Sequence, residues 1–234
     1  MAMPKTEIEA NYMEHTERTM ARVTRSSSKN VVYRIVKRTL DLVGAVVGLV
    51  FSLPLFLVIS MLYLFGDNKG PVFFKQKRIG QNGKPFYIYK FRSMIVDAEE
   101  VLKSNSSLYN KYLINNYKLE PKEDPRITRI GCFLRKTSLD ELPQLINVLK
   151  GEMSLVGPRP VVIEELKEYG NKQELFLSAR PGLTGYWQAC GRSEIEYPER
   201  CNIELYYVKH QSFKFDVKII IKTFFSVIKK RGAY

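Results

Sequence analysis

The sequence is poor in the residues from which metal and thiol centres are usually built. Its 234 residues hold three cysteines and two histidines. Cys132, Cys190 and Cys201 show no C-x-x-C spacing, and neither His15 nor His210 has a companion at metal-ligand spacing. A zinc-finger framework is therefore excluded. An odd, sparse set of cysteines suits reduced thiols facing a cytoplasm. Also missing are G-x-x-x-x-G-K-[ST] and G-x-G-x-x-G, the two commonest phosphate-cradling loops, and any internal repeat. The first thirty residues carry no apolar core, which speaks against a cleavable secretion signal. Acidic residues are in deficit, 24 against 37 Lys and Arg, for a net charge of +13. That imbalance points to an anionic partner (nucleic acid, a phospholipid surface or a phosphorylated substrate) without choosing among them.

What is present starts with a mixed-charge tail, 1–30, ending in Ser26-Ser27-Ser28. An apolar segment fills 31–66, and the 24 residues from Leu42 to Phe65 carry no charge. As a straight helix they would reach about 36 Å, against a bilayer core of about 30 Å. Pro54 interrupts this run, and both flanks are basic: Arg34, Lys37 and Arg38 before it, Lys69, Lys75, Lys77 and Arg78 after it. A proline in mid-helix removes a hydrogen bond and clashes with the preceding turn. Similar basic flanks suit a segment that enters one leaflet and returns, though a kinked span fits as well. So long an apolar run argues against nucleic acid as the anionic partner.

The rest, 67–234, reads as one α+β domain of mainly helical character. PVFFKQKR (71–78) and PFYIYKF (85–91) are strand-like around the Gln81-Asn82-Gly83 turn, a β-hairpin pattern. Met94 to about Tyr117 is helix-like, with Leu102, Leu108, Tyr112 and Leu113 for a face. The acids Asp97, Glu99 and Glu100 within it fit a solvated face better than a metal site. At the end, Lys214, Lys218 and Lys222 recur every four residues, with Lys229 near the same line. Val217, Ile220, Ile221, Phe224, Phe225 and Ile228 fill the other side. Such an amphipathic helix either lies in a lipid headgroup layer or packs its apolar side on the core.

The densest chemistry lies in DPRITRIGCFLRKTSLDELPQLINVLKGEMSLVGPRP, 124–160. Adjacent carboxylates, Asp140 and Glu141, stand between Arg135 and Arg159. Carboxylates can hold a divalent cation or attack phosphorus, and guanidiniums match phosphate oxygens bidentately. Pro143 is tolerated in a first helical turn, so the helix ending near Lys150 is expected to start close to Asp140. The plainer alternative is that Ser138-Leu139-Asp140-Glu141 is an S-x-x-E capping box. Lys90 is either a further cation of the site or a lysine snorkelling near a bilayer. Trp187 reads as an interfacial or core aromatic rather than a sugar platform.

Taken together, KRTLDLVGA (37–45), the proline-broken apolar run, YKFRSM (89–94), DPRITRIG (124–131), LRKTSLDELPQLINVLKGEMSLVGPRP (134–160), RPGLTGYWQACGR (180–192) and FDVKIIIKT (215–223) resemble the bacterial sugar transferases, the monotopic phosphoglycosyl transferases. The blocks run in the family's order over about 200 residues. The resemblance implies a re-entrant helix-break-helix anchor broken at Pro54, in a short form of the family seated on the cytoplasmic face of a bacterial inner membrane. Here Ser52-Leu53-Pro54 replaces the direct Ser-Pro of many members. It further implies transfer of a sugar 1-phosphate from a UDP-sugar to polyprenol (undecaprenyl) phosphate, starting exopolysaccharide, capsule or glycan synthesis. Asp140 would be the nucleophile, forming a phosphosugar-aspartyl ester and releasing UMP. Asp140 and Glu141 would hold Mg²⁺, Glu141 alternatively handling a proton, with Arg135, Arg159, Lys90 and Arg192 around the phosphates and nucleotide. Arg192 is alternatively a surface charge. The sugar is not legible, and a homo-oligomer is left open. A non-catalytic membrane-surface scaffold would explain the charge and the anchor, but leaves the Asp-Glu pair and both arginine turns unused.

Overall fold

The computed structural model describes residues 31–115, 119–120, 123–191 and 194–228; the tail 1–30, Arg192 and Lys229 lie outside them. The chain runs α1 (Val31–Leu62), β1 (Phe73–Ile79), β2 (Pro85–Phe91), α2 (Ala98–Ser104), α3 (Ser106–Ile114), α4 (Arg129–Thr137), α5 (Gln144–Lys150), β3 (Ser154–Val156), α6 (Ile163–Leu166), α7 (Gln173–Leu177), β4 (Gly182–Thr184), α8 (Tyr186–Cys190), α9 (Glu199–Lys209) and α10 (Phe213–Ile228). This is an α+β fold, mostly helical, with one long apolar helix at its start.

That helix, 32 residues long and apolar enough to cross a bilayer by length and composition, is laid along the domain. Near its start, the Tyr33 hydroxyl and Lys37 ammonium both donate to Asp216 Oδ2 on α10. The next residue, Arg38, donates to the carbonyls of Val148 and Leu149, capping the C-terminal end of α5. Asp41 Oδ1 accepts from Ser154 Oγ and the Leu155 amide, both at 2.9 Å. Gly44 and Gly48 lie so close to Leu155 and Leu145 that an added β-carbon would sit 2.5 and 3.0 Å from their methyls. Ala45 packs with Leu145, Val148 and Met153, and Ile59 and Tyr63 pack with Phe91 and Leu134. The contacts recur every three or four residues, one stripe of a 3.6-residue helix. The opposite stripe is bare, with Phe51 82% exposed.

The helix is assigned as one element with Pro54 inside it. On both sides of the proline it touches the domain, through Leu49 before it and Leu55, Phe56 and Ile59 after it. One expectation is corrected here: the stretch from Met94 is not one helix. Met94 bridges Ile127, and α2 and α3 are separated at Asn105, whose extended backbone and side-chain bond from the Leu108 amide start a new helix. Glu99, exposed and paired with Lys103 one turn on, is the solvated face anticipated from sequence.

The hairpin forms as expected, antiparallel with Phe73 opposite Phe91 and Ile79 opposite Pro85. Asn82 and Gly83 take the positive φ values, 57° and 76°, that the turn requires. Asn147, fully buried on α5, fastens β2 by donating to Tyr87 O and accepting from the Tyr89 amide. A short parallel pair, Ser154 opposite Gly182 and Val156 opposite Thr184, carries the chain into the Gly157–Pro160 turn. On α10, Asp216 and Ile219 are buried, whereas Ile220, Ile221, Phe224 and Phe225 remain exposed, Phe224 at 61%. The apolar side of that helix therefore faces outward, and the core-packing alternative for it is not what the fold adopts. The bare sides of α1 and α10 adjoin at a groove lined by Val36, Leu40, Phe213, Val217 and Ile220.

Candidate active site

The Asp-Glu pair sits in the elbow between α4 and α5. Thr128 caps α4 by accepting from the Gly131 amide at 2.9 Å. Gly131 itself abuts the backbone of Ser93, where a β-carbon would fall 1.9 Å from the carbonyl oxygen. The helix stops at Ser138, whose left-handed φ of 57° turns the chain. Leu139–Glu141 form a single 3-10 turn, and Pro143 is the N-cap of α5. Ser138 makes no side-chain cap to this turn, so the capping-box alternative is not realised. The acids stand just ahead of Pro143, close to where the proline argument puts the helix start.

Lys90 reaches the acids from β2. Strand alternation puts it on the same face as buried Phe86 and Ile88, so it points inward rather than snorkelling. Its ammonium lies 2.8 Å from Glu141 Oε1 and 3.9 Å from Asp140 Oδ2. Arg159 meets the same Glu141 oxygen at 3.3 Å. Arg135 is held by its Nε donating to Ser93 Oγ at 2.8 Å, and its charge acts on Asp140. Lys90, Arg135 and Arg159 are thus gathered around Asp140 and Glu141. Pro54 belongs to α1 and takes no part.

These surroundings separate the two acids. Burial, reinforced by the neighbouring Glu141 charge, pushes the Asp140 carboxyl up to about 6 against the pull of Lys90, Arg135 and Arg159. Burial also works against ionisation of Glu141, but its direct bonds to Lys90 and Arg159 prevail and hold it well below the usual carboxylate range. Glu141 is thus held ionised between two cations, while Asp140, buried as well, is more basic and less tightly paired. That is the contrast expected between an electrostatic anchor and a nucleophile. Among the described residues no three His, Cys, Asp or Glu side chains gather as a metal cluster. The pair of hard carboxylate oxygens does fit Mg²⁺, which commonly takes one or two carboxylates and completes its shell with substrate phosphates and water.

The turn that presents Arg159 is held along its length. The Gly157 amide donates to Thr184 O, Gly182 N to Pro158 O, and Ile79 N to Val161 O. Arg78 Nη1 donates to Pro160 O at 3.3 Å. Gly157 and Gly182 must lack side chains, since a β-carbon on either would fall 2.0–2.3 Å from the other segment's backbone. Trp187, read from sequence as a plain aromatic, lies beside the site: the Arg159 guanidinium is 6.0 Å from its ring centre and that of Arg200 is 4.4 Å. Arg200, Glu204 and Tyr169 behind it were not identified from sequence, where no motif links residues this far apart.

The family model described as Bacterial sugar transferase matches residues 32–230. The chain belongs to the bacterial sugar transferase family. It is 44% identical over 204 residues to "Undecaprenyl-phosphate galactose phosphotransferase" of Salmonella typhimurium, covering 86% of this chain and 42% of that protein. It is also 44% identical over 204 residues to "Exopolysaccharide production protein ExoY" of Sinorhizobium fredii, covering 86% and 88%. Identity to "UDP-glucose:undecaprenyl-phosphate glucose-1-phosphate transferase" of Escherichia coli is 36% over 211 residues, 87% of this chain and 42% of that protein. The chain thus spans about two fifths of the longer relatives and most of the shorter one.

Proposed function

We propose that this bacterial sugar transferase moves a sugar 1-phosphate from a UDP-sugar to undecaprenyl phosphate through a covalent ester on Asp140. In the first displacement an Asp140 carboxylate oxygen bonds to the β-phosphorus as the bond from that phosphorus to the bridging oxygen breaks. The bridging oxygen and its electron pair leave with UMP. In the second, a phosphate oxygen of the acceptor bonds to the same phosphorus and the aspartyl oxygen departs, restoring the carboxylate. Splitting the exchange in two allows ping-pong kinetics. The observation that carries this reading is the unequal pair: a buried Asp140, 3.9 Å from Lys90, beside a Glu141 already bound to Lys90 and Arg159. Lys90, Arg135 and Arg159 would stabilise charge on the transferring phosphoryl oxygens. Mg²⁺ bound by Asp140 and Glu141 would supply neutralisation of the diphosphate.

A shallow seat on the cytoplasmic face of the inner membrane accompanies this chemistry. The contacts of this helix to its domain from Lys37 to Tyr63 support this seat, and its bare stripe adjoins that of α10. Such a face suits insertion into one leaflet, with Lys214, Lys218 and Lys222 at the headgroups and the acceptor phosphate at the same depth. The test is to incubate purified protein with a panel of UDP-sugars and undecaprenyl phosphate and to measure UMP. We expect release with at least one sugar and its loss in Asp140→Asn; full activity of that variant would refute the nucleophile.

A further inference from the structure

Behind Arg159 lies a buried charged unit that the two displacements do not use. Glu204 of α9 is only 1% exposed. Its Oε1 accepts the Arg159 amide at 3.1 Å, and its Oε2 accepts the Tyr169 hydroxyl. Arg200, one turn earlier on the same helix, brings its Nε to 3.7 Å from Glu204 Oε1, an ion-pair distance too long for a hydrogen bond. Among the described residues, Arg200 Nε and Nη2 have no hydrogen-bond partner although the residue is 93% buried. What this guanidinium does use is its charge, against Glu204, and its flat face, which lies over the rings of Trp187 and Tyr197 at 4.4 and 4.8 Å. The indole of Trp187 is fixed in turn by donating to Ile195 O at 3.0 Å, and it is this ring that the Arg159 guanidinium approaches.

We infer that Arg200 and Glu204 are positioning residues for Arg159, Glu204 holding its backbone and Arg200 holding the Trp187 ring against which its guanidinium rests. A buried carboxylate and a buried guanidinium are costly unless paired, and here the pair joins both ends of one site residue. A well-placed arginine clamp gains its effect by being set before substrate arrives. The inference rests on the reading of Arg159 as a clamp on the donor diphosphate.

Arg200→Lys keeps the charge opposite Glu204 and removes the flat face. With UDP-sugar varied, it is expected to raise the donor KM about fivefold or more, with kcat, acceptor KM and melting temperature little changed. In an Arg159→Gln background the same change is expected to cost less than about twofold, because the residue being positioned is gone. An equal penalty in both backgrounds, or a loss of melting temperature in place of the KM effect, would overturn the inference. If Arg200→Lys does not fold, Trp187→Leu is read through the same cycle. Arg159→Gln alone separates the two ideas: an unchanged donor KM in that variant defeats the clamp reading itself, and the positioning role with it.

Discussion

Removing Lys90 should move the acid limb of the reaction to higher pH. Its ammonium stands 3.9 Å from Asp140 Oδ2, with only 17% and 11% of the two side chains exposed. At an effective dielectric of about 20, unit charges at that separation attract by about 4 kcal/mol. One pKa unit corresponds to about 1.4 kcal/mol, so the gross effect approaches three units. Water entering the space left by the side chain, and the charge of Arg159 shared with Glu141, reduce it; we expect about one to two units for Lys90→Met. On the proposed mechanism Asp140 attacks as the carboxylate; since burial pushes that carboxyl up to about 6, wild-type activity is expected above that value and falls as pH drops through it. In Lys90→Met the fall begins at higher pH, and Lys90→Arg restores the original limb. The assay is UMP release in the first half-reaction, without acceptor, because an acceptor phosphate monoester itself titrates near pH 6. Coincident acid limbs for wild type and Lys90→Met would refute the electrostatic coupling argued for this site.

Two further outcomes follow from the packing. Gly131→Ala places a β-carbon against the Ser93 carbonyl, a backbone atom that cannot step aside; a loss of about 3 kcal/mol is expected, which lowers the melting midpoint by roughly 6–12 °C for a domain of this size, and an unchanged midpoint would contradict the close approach. Replacing exposed Ile221 and Phe225 on α10 by glutamine should weaken co-sedimentation with anionic vesicles and raise the acceptor KM severalfold, while UMP release from donor alone in detergent stays unchanged; undiminished vesicle binding would remove α10 from the membrane face.

The parts of this fold that were legible in the sequence are those governed by neighbours in the chain. Asn82-Gly83 announces the hairpin because few residues accept positive φ. Asp140 and Glu141 were identified because two acids beside an arginine and a helix-starting proline are unusual together. The inward direction of Lys90 was also within reach, since period-two alternation groups it with Phe86 and Ile88. The separation of α2 from α3 depended on one asparagine cap inside a helix-like run. The contacts that fasten α1 to Phe91 and Leu134 on the far side of Pro54 are distant in sequence and were not legible. The unit formed by Arg200, Glu204, Trp187 and Arg159 spans more than forty residues and depends on α9 packing behind the Gly157–Pro160 turn. No spacing rule carries that kind of information.

The most direct test of the account is the mass of the intact protein after incubation with a UDP-sugar in the absence of acceptor. The account predicts a gain of one phosphosugar, mapped to the peptide containing Asp140 and discharged on addition of undecaprenyl phosphate. Turnover with no such adduct, or an adduct on any other residue, would contradict it.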